Sequence, residues 1–108
     1  MVFQTGAALL DAIVLAVVYK EEEGTYGYKI TQDVRRAIDV SESTLYPVLR
    51  RLQKDGCLIV YDRECGGRNR RYYRITECGR ERLMEYREAW KVYSSKISEL
   101  FSGEELER

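Results

Sequence analysis

Ser43-Thr44-Leu45-Tyr46-Pro47-Val48-Leu49-Arg50-Arg51-Leu52-Gln53-Lys54-Asp55-Gly56 places Leu45, Val48, Leu49 and Leu52 at the spacing of one helix face. Gly56 ends that helix. Either Ser41 or Ser43 can cap its start by accepting from an orphan backbone N–H. Proline is tolerated only near a first turn, so Pro47 favours Ser43, and a start at Ser41 implies a local bend. With the apolar stripe turned inward, Ser43, Tyr46, Pro47, Arg50 and Lys54 occupy the outer face, flanked by Thr44 and Arg51.

Upstream, Tyr26-Gly27-Tyr28 opens a shorter helix reaching about Ile38, with Ile30, Val34 and Ala37 on its buried face. Asp39-Val40-Ser41 is the tight link between the two helices. Further back, Ala7 to Lys20 is apolar almost all round, the pattern of a helix covered on most sides, and Glu21 to Gly24 stops it. Downstream, Leu58–Tyr61 and Arg70–Thr76 are rich in β-branched and aromatic residues. With Glu64–Asn69 as their turn they predict a hairpin, read as the only strands. Thr76 then caps a last helix running to about Phe101, which Ser102-Gly103 ends.

That order predicts a mainly α fold with a small β-hairpin (α+β): a winged helix-turn-helix with a long C-terminal dimerisation helix. The winged unit spans residues 1–76 and includes the buried first helix, the arm spans 77–102, and a tail spans 103–108.

The 108 residues carry a formal net charge of zero, which taken alone speaks against nucleic acid. The average hides a segregation, because Tyr26 to Ile75 holds eleven Lys/Arg against six Asp/Glu and both ends are acidic. A basic middle is the footprint of a phosphate-binding surface. On the third helix, hydroxyls at the N-terminal end and cations further along suit insertion into a major groove. Tyr28, Ser43, Thr44, Tyr46, Pro47, Arg50 and Arg51 are the helical residues expected to contact double-stranded DNA. From the hairpin come Arg68, Arg70 and Arg71, within a cluster that also holds Arg63 and Arg74 around two tip glycines. An edge guarded against aggregation is the plainer account of a charged hairpin, but lysine serves that purpose equally well, and five arginines favour a wing.

Other functions are disfavoured. With no histidine, the commonest general base is missing, so no catalytic set and no cofactor is expected. Cys57, Cys65 and Cys78 have no zinc-ligand spacing and are read as reduced thiols. A redox role for Cys65, beside arginines, rests on that neighbourhood alone. No apolar run reaches the length of a membrane span, and no signal peptide pattern is present, so a cytoplasmic protein is expected.

In the last helix, Leu83, Tyr86, Trp90, Tyr93, Ile97 and Leu100 recur in steps of 3, 4, 3, 4 and 3, a heptad seam. At 1.5 Å per residue, about 25 residues extend roughly 37 Å, too far for one small domain to cover. A second copy of the chain is the expected partner, with Leu9 and Ile13 of the first helix contributing, and a two-fold dimer matches a pseudo-palindromic operator. Tyr86, Trp90 and Tyr93 could also line a gap that accepts a small flat aromatic ligand, although plain interface packing is the better account of the two tyrosines and an equal one for Trp90.

Three segments carry a family resemblance: Tyr26-Gly27-Tyr28-Lys29-Ile30, then Ser43 to Leu52 with Asp55-Gly56, then Arg70 to Gly79 with its Thr-x-x-Gly opening of the last helix. In that order they resemble the PadR family of bacterial transcriptional regulators, in the short subgroup with a single C-terminal helix. The resemblance implies a homodimeric, often autoregulatory repressor, released from its operator by aromatic or multidrug-type compounds. It places Trp90 where a tryptophan can form part of a ligand pocket at the dimer interface. Ser43 stands where many members carry glycine, and Cys78 where a charged residue is common. The competing function is a winged-helix module that binds protein and has no specific DNA target.

Overall fold

The computed structural model describes residues 7–103, so the last five residues of the expected tail lie outside the described residues. In chain order the elements are α1 (Ala7–Tyr19), β1 (Thr25–Tyr26), α2 (Gly27–Val34), α3 (Glu42–Lys54), β2 (Leu58–Cys65), β3 (Arg68–Ile75) and α4 (Glu77–Phe101). The expected α+β architecture is present, and four of its details differ from the sequence reading.

The hairpin does not hold the only strands. Thr25 and Tyr26 pair antiparallel with Tyr73 and Tyr72, giving a three-stranded sheet in the order β1-β3-β2. Two residues are too few for period-2 alternation to register, and the pairing comes from β3 having an open edge. The hairpin is also longer than expected and its turn shorter: Cys65 pairs with Arg68, leaving only Gly66-Gly67 to reverse the chain. Both glycines have positive φ (58° and 82°), the requirement of a type I′ turn, whose twist matches the strands it joins.

The other two differences concern helix ends. α2 stops at Val34, and Arg35 to Ile38 continue in turns, although Ile38 still packs on the core. α3 is capped by Ser41 and not by Ser43: the Thr44 backbone N–H donates to Ser41 Oγ at 3.3 Å. Pro47 therefore sits inside the helix. Proline has no N–H for the carbonyl of Ser43 four residues back, but Ser43 and Pro47 both lie on the exposed face, where water can satisfy that oxygen.

The core lies where α1, α2, α3 and the base of the sheet meet. Leu15, Val18, Ile30, Val34, Leu52 and Cys57 are fully buried there, and Leu83 and Tyr86 of α4 join them. At about 0.8 kcal/mol per buried CH2, this cluster holds the recognition elements together. The junction of β2, β3 and α4 is tied separately. Thr76 Oγ1 donates to the Gly56 carbonyl at 2.6 Å and accepts from the Gly79 N–H at 3.0 Å, which makes Thr76 the expected cap of α4. Arg82 donates to Asp55 at 3.1 Å, fixing the end of α3 to the first turns of α4.

Ala89 and Tyr93 still pack against the core, and beyond Tyr93 the arm leaves it. The described chain measures 60 × 27 × 22 Å, its long dimension far exceeding the others, and Leu100 and Phe101 near the end of α4 are 72% and 73% exposed. No helix among the described residues is long and apolar enough to cross a membrane.

Candidate nucleic-acid interface

α3 is positioned by its apolar stripe: Leu45, Val48, Leu49 and Leu52 are buried, which forces Ser43, Thr44, Tyr46, Pro47 and Arg50 outward. The start of α2 lies beside it, and the sheet brings β3 to the same side. These three elements enclose a concavity of about 430 Å³, lined by Tyr26, Gly27, Tyr28, Tyr46, Arg50, Arg70, Arg71 and Tyr73. Five residues singled out in the sequence, Tyr28, Tyr46, Arg50, Arg70 and Arg71, thus converge from three separate segments.

The chemistry at its rim suits an anionic, hydrogen-bonding surface. Tyr46 donates to Glu42 at 3.1 Å, and partial burial with that carboxylate pushes its hydroxyl pKa upward, so it stays a protonated donor. Ser43 and Thr44 share Ser41 Oγ at 2.9 and 3.1 Å, which clusters three hydroxyls at the start of α3. Arg63 and Arg70 face each other directly across the hairpin, where like charges repel. Each stacks on a tyrosine, Arg70 over Tyr26 at 4.7 Å and Arg63 over Tyr72 at 5.3 Å. Two cations held opposite one another suit a surface that meets phosphate.

Tyr26 and Tyr72 were not singled out from the sequence. Their rings lie 5.6 Å apart, with Tyr61 5.9 Å beyond Tyr72. The signal was the run of tyrosines itself, which strand alternation alone does not assign to one face. Arg68 is exposed beside the turn, away from the concavity. Arg51 also falls outside it, because its guanidinium donates to Asp11 of α1.

A second feature lies on the far side of the core. An apolar groove of about 440 Å³ runs between α1 and α4, lined by Leu9, Ala12, Ile13, Ala16, Ala37, Ile38, Leu83, Tyr86, Arg87 and Trp90. Four residues expected at the dimer face, Leu9, Ile13, Leu83 and Tyr86, therefore line the same groove as Trp90. The Trp90 and Tyr93 rings are 6.0 Å apart at its outer end, and Ile97 and Leu100 lie further along the arm. Among the described residues no group of three or more His, Cys, Asp or Glu is placed to hold a metal.

Comparison with known proteins gives a consistent picture. The Transcriptional regulator PadR-like family matches residues 14–85. Transcriptional regulator Rv3488 of Mycobacterium tuberculosis is 46% identical over 73 residues, covering 67% of this chain and 68% of that protein. The crystal structure of smu.1704 from Streptococcus mutans superposes with a TM-score of 0.83 at 37% identity, covering 95% of each chain. Bacillus subtilis PadR, solved in complex with operator DNA, shares the fold at a TM-score of 0.64 and 22% identity, over 72% of this chain and 46% of its own. Family match, relative and fold agree with the convergence of α2, α3 and wing on one basic concavity, and the chain belongs to the PadR-like family of transcriptional regulators, which are DNA-binding proteins and not enzymes.

Proposed function

We propose that this regulator acts in the cytoplasm as a homodimeric repressor of a pseudo-palindromic operator, relieved by a small aromatic or multidrug-type ligand. The observation that carries the DNA half is the convergence of Tyr28, Tyr46, Arg50, Arg70 and Arg71 on one concavity. The start of α3 enters the major groove, with Ser43, Thr44, Tyr46 and Pro47 nearest the bases and Arg50 on guanine or phosphate. Arg68, Arg70 and Arg71 of the wing follow the adjoining backbone. Arg51, bound to Asp11, holds α3 in place and is the weakest member of the expected contact set.

Support for the dimer comes from apolar surface that one chain leaves open: Val92, Leu100 and Phe101 are each more than half exposed. A two-fold partner along Trp90, Tyr93, Ile97 and Leu100 covers it and closes the α1–α4 groove over a flat ligand between Trp90 and Tyr86. The test is selection of duplexes from genomic fragments, followed by a salt titration. The selected duplex is expected to bind at least a hundredfold more tightly than a scrambled one, with affinity falling steeply as salt rises. Equal binding of both duplexes refutes sequence-specific regulation and favours the protein-binding module.

A further inference from the structure

Asp11 is the buried charged residue of the described chain, and it lies in a helix that is otherwise apolar. Its carboxylate accepts from Arg51 of α3 and from the Tyr86 hydroxyl of α4, with the Arg82 guanidinium also near enough to favour its charge. Burial pushes the Asp11 carboxyl above its ordinary value, and these cationic and hydroxyl partners oppose the rise. Tyr86 has two environments. Its side chain lines the α1–α4 groove beside Trp90, and its hydroxyl reaches the Asp11 carboxylate behind the groove wall. Arg51 is the sequence neighbour of Arg50, which lines the DNA-facing concavity. A continuous set of contacts therefore runs from the groove through Tyr86, Asp11 and Arg51 to the outer face of α3.

We infer that Asp11 is a positioning residue that couples occupancy of the groove to the setting of the recognition helix. This rests on the groove being a ligand site and α3 the DNA-reading helix. An aromatic ligand packing against Trp90 and Tyr86 displaces the Tyr86 hydroxyl from Asp11. A buried carboxylate that loses one donor takes more from those remaining, so Asp11 draws on Arg51 and Arg82. Because Arg51 is anchored on α3 and Arg82 on α4, that change alters how α3 is held against both helices. A ligand shifts the DNA equilibrium only through such a difference between states, and the effect is reciprocal.

The experiment uses the full chain, the duplex recovered by genomic selection, and 1-anilinonaphthalene-8-sulfonate as the aromatic probe. Binding of the dye is read by quenching of Trp90, and DNA binding by mobility shift with and without saturating dye. In the wild type the dye is expected to weaken DNA binding by about tenfold, within the usual range of coupling. Asp11→Asn keeps the shape and removes the charge, so each affinity measured alone stays within about twofold, while the effect of dye on DNA falls to about threefold or less. Asp11→Leu removes the link entirely and brings the effect to about onefold. A damaged fold lowers both affinities together, whereas a severed link preserves them and removes their interdependence. Variants that bind both ligands and keep the wild-type coupling overturn the inference, as does a wild type whose DNA affinity ignores bound dye. Failure of the underlying reading looks different: Trp90 not quenched by the dye removes the groove as a ligand site, and the inference with it.

Discussion

Gly79→Ala separates local helix preference from packing, because the two predict opposite signs. Gly79 lies in the first turn of α4, where alanine is favoured over glycine by about 1 kcal/mol on propensity alone. A Cβ built on Gly79 falls 2.2 Å from the Cys57 carbonyl oxygen and 2.7 Å from Ile75 Cγ1, inside the 3.0 Å that real Cβ contacts respect. Ile75 is a side chain and can turn, but the Cys57 carbonyl is backbone and already accepts from the Thr76 N–H at 3.0 Å. Relief requires the start of β2 to move away from α4, at an overpacking cost of about 1–3 kcal/mol. Weakening the Thr76–Cys57 bond adds about 1 kcal/mol. The net expectation is a loss of about 2 kcal/mol, lowering Tm by roughly 10 °C. Urea unfolding followed by Trp90 fluorescence at one fixed protein concentration measures it. Because the shift occurs where the hairpin leaves α3, affinity for the selected duplex should fall as well. A Gly79→Ala protein as stable as the wild type would falsify the close approach of α4 to Cys57, and with it the physical reason for Thr-x-x-Gly at this helix start.

The Asp11–Arg51 pair should break asymmetrically. Arg51→Ala takes the ion-pair partner from a carboxylate that is 10% exposed, leaving it Tyr86 and the nearby Arg82, and should cost about 3 kcal/mol, whereas Asp11→Asn leaves an arginine side chain that is 43% exposed and should cost about 1 kcal/mol or less, as read by denaturant midpoints. Since the folded carboxyl lies above 3.8, the native state binds the Asp11 proton more tightly, and the wild type should lose stability relative to Asp11→Asn as pH rises through the raised value; a flat difference across the acid range counts against burial as the cause. In the DNA face, Arg70→Ala and Arg71→Ala should each reduce the salt slope by about 0.9 and weaken all sequences alike, while Arg50→Ala should cost about 1–3 kcal/mol and relax base preference. For the arm, Leu100→Ser should weaken self-association by about 2 kcal/mol per protomer in sedimentation while leaving the monomer's unfolding midpoint unchanged, since Leu100 is 72% exposed in the single chain.

Most of the fold was legible because its helices announce themselves by period. The inner stripe of α3 alone fixes which side of Tyr46 and Arg50 faces out. Elements set by tertiary contact were not legible. Thr25-Tyr26 is a strand only because β3 offers an edge. Ser41 caps α3 because a proline on an exposed face leaves its orphan carbonyl to solvent, a compensation invisible to a rule about proline position. Arg51 sits in a basic run and reads as one more phosphate contact. Its partner lies 40 residues away in a helix whose single acid gives no hint of direction. The concavity itself was foreshadowed by three motifs, but the stacking of Tyr26 and Tyr72 under arginines depends on the register of β1 on β3.

The arm shows where a periodic pattern stops being informative. Leu83, Tyr86, Trp90, Tyr93, Ile97 and Leu100 form one uninterrupted seam in the sequence, yet they divide between two environments in the fold. Leu83 and Tyr86 are buried in the chain's own core, and Leu100 is almost wholly outside it. Trp90, 45% exposed, lies at the changeover and is also the outer wall of the groove. Heptad spacing reports only that a helix needs an apolar neighbour along one line, and the neighbour can be the same chain at one end and another molecule at the other. The division has a physical consequence. Whatever covers the outer half of the seam is joined through a continuous helix to side chains that pack on α1 and reach Asp11. In the proposed dimer, self-association and groove occupancy would both act on α4, so a displacement of the arm at Trp90 would be felt at Tyr86 one turn away. A regular seam therefore does not by itself mark a zipper, because its inner half here belongs to the chain's own core.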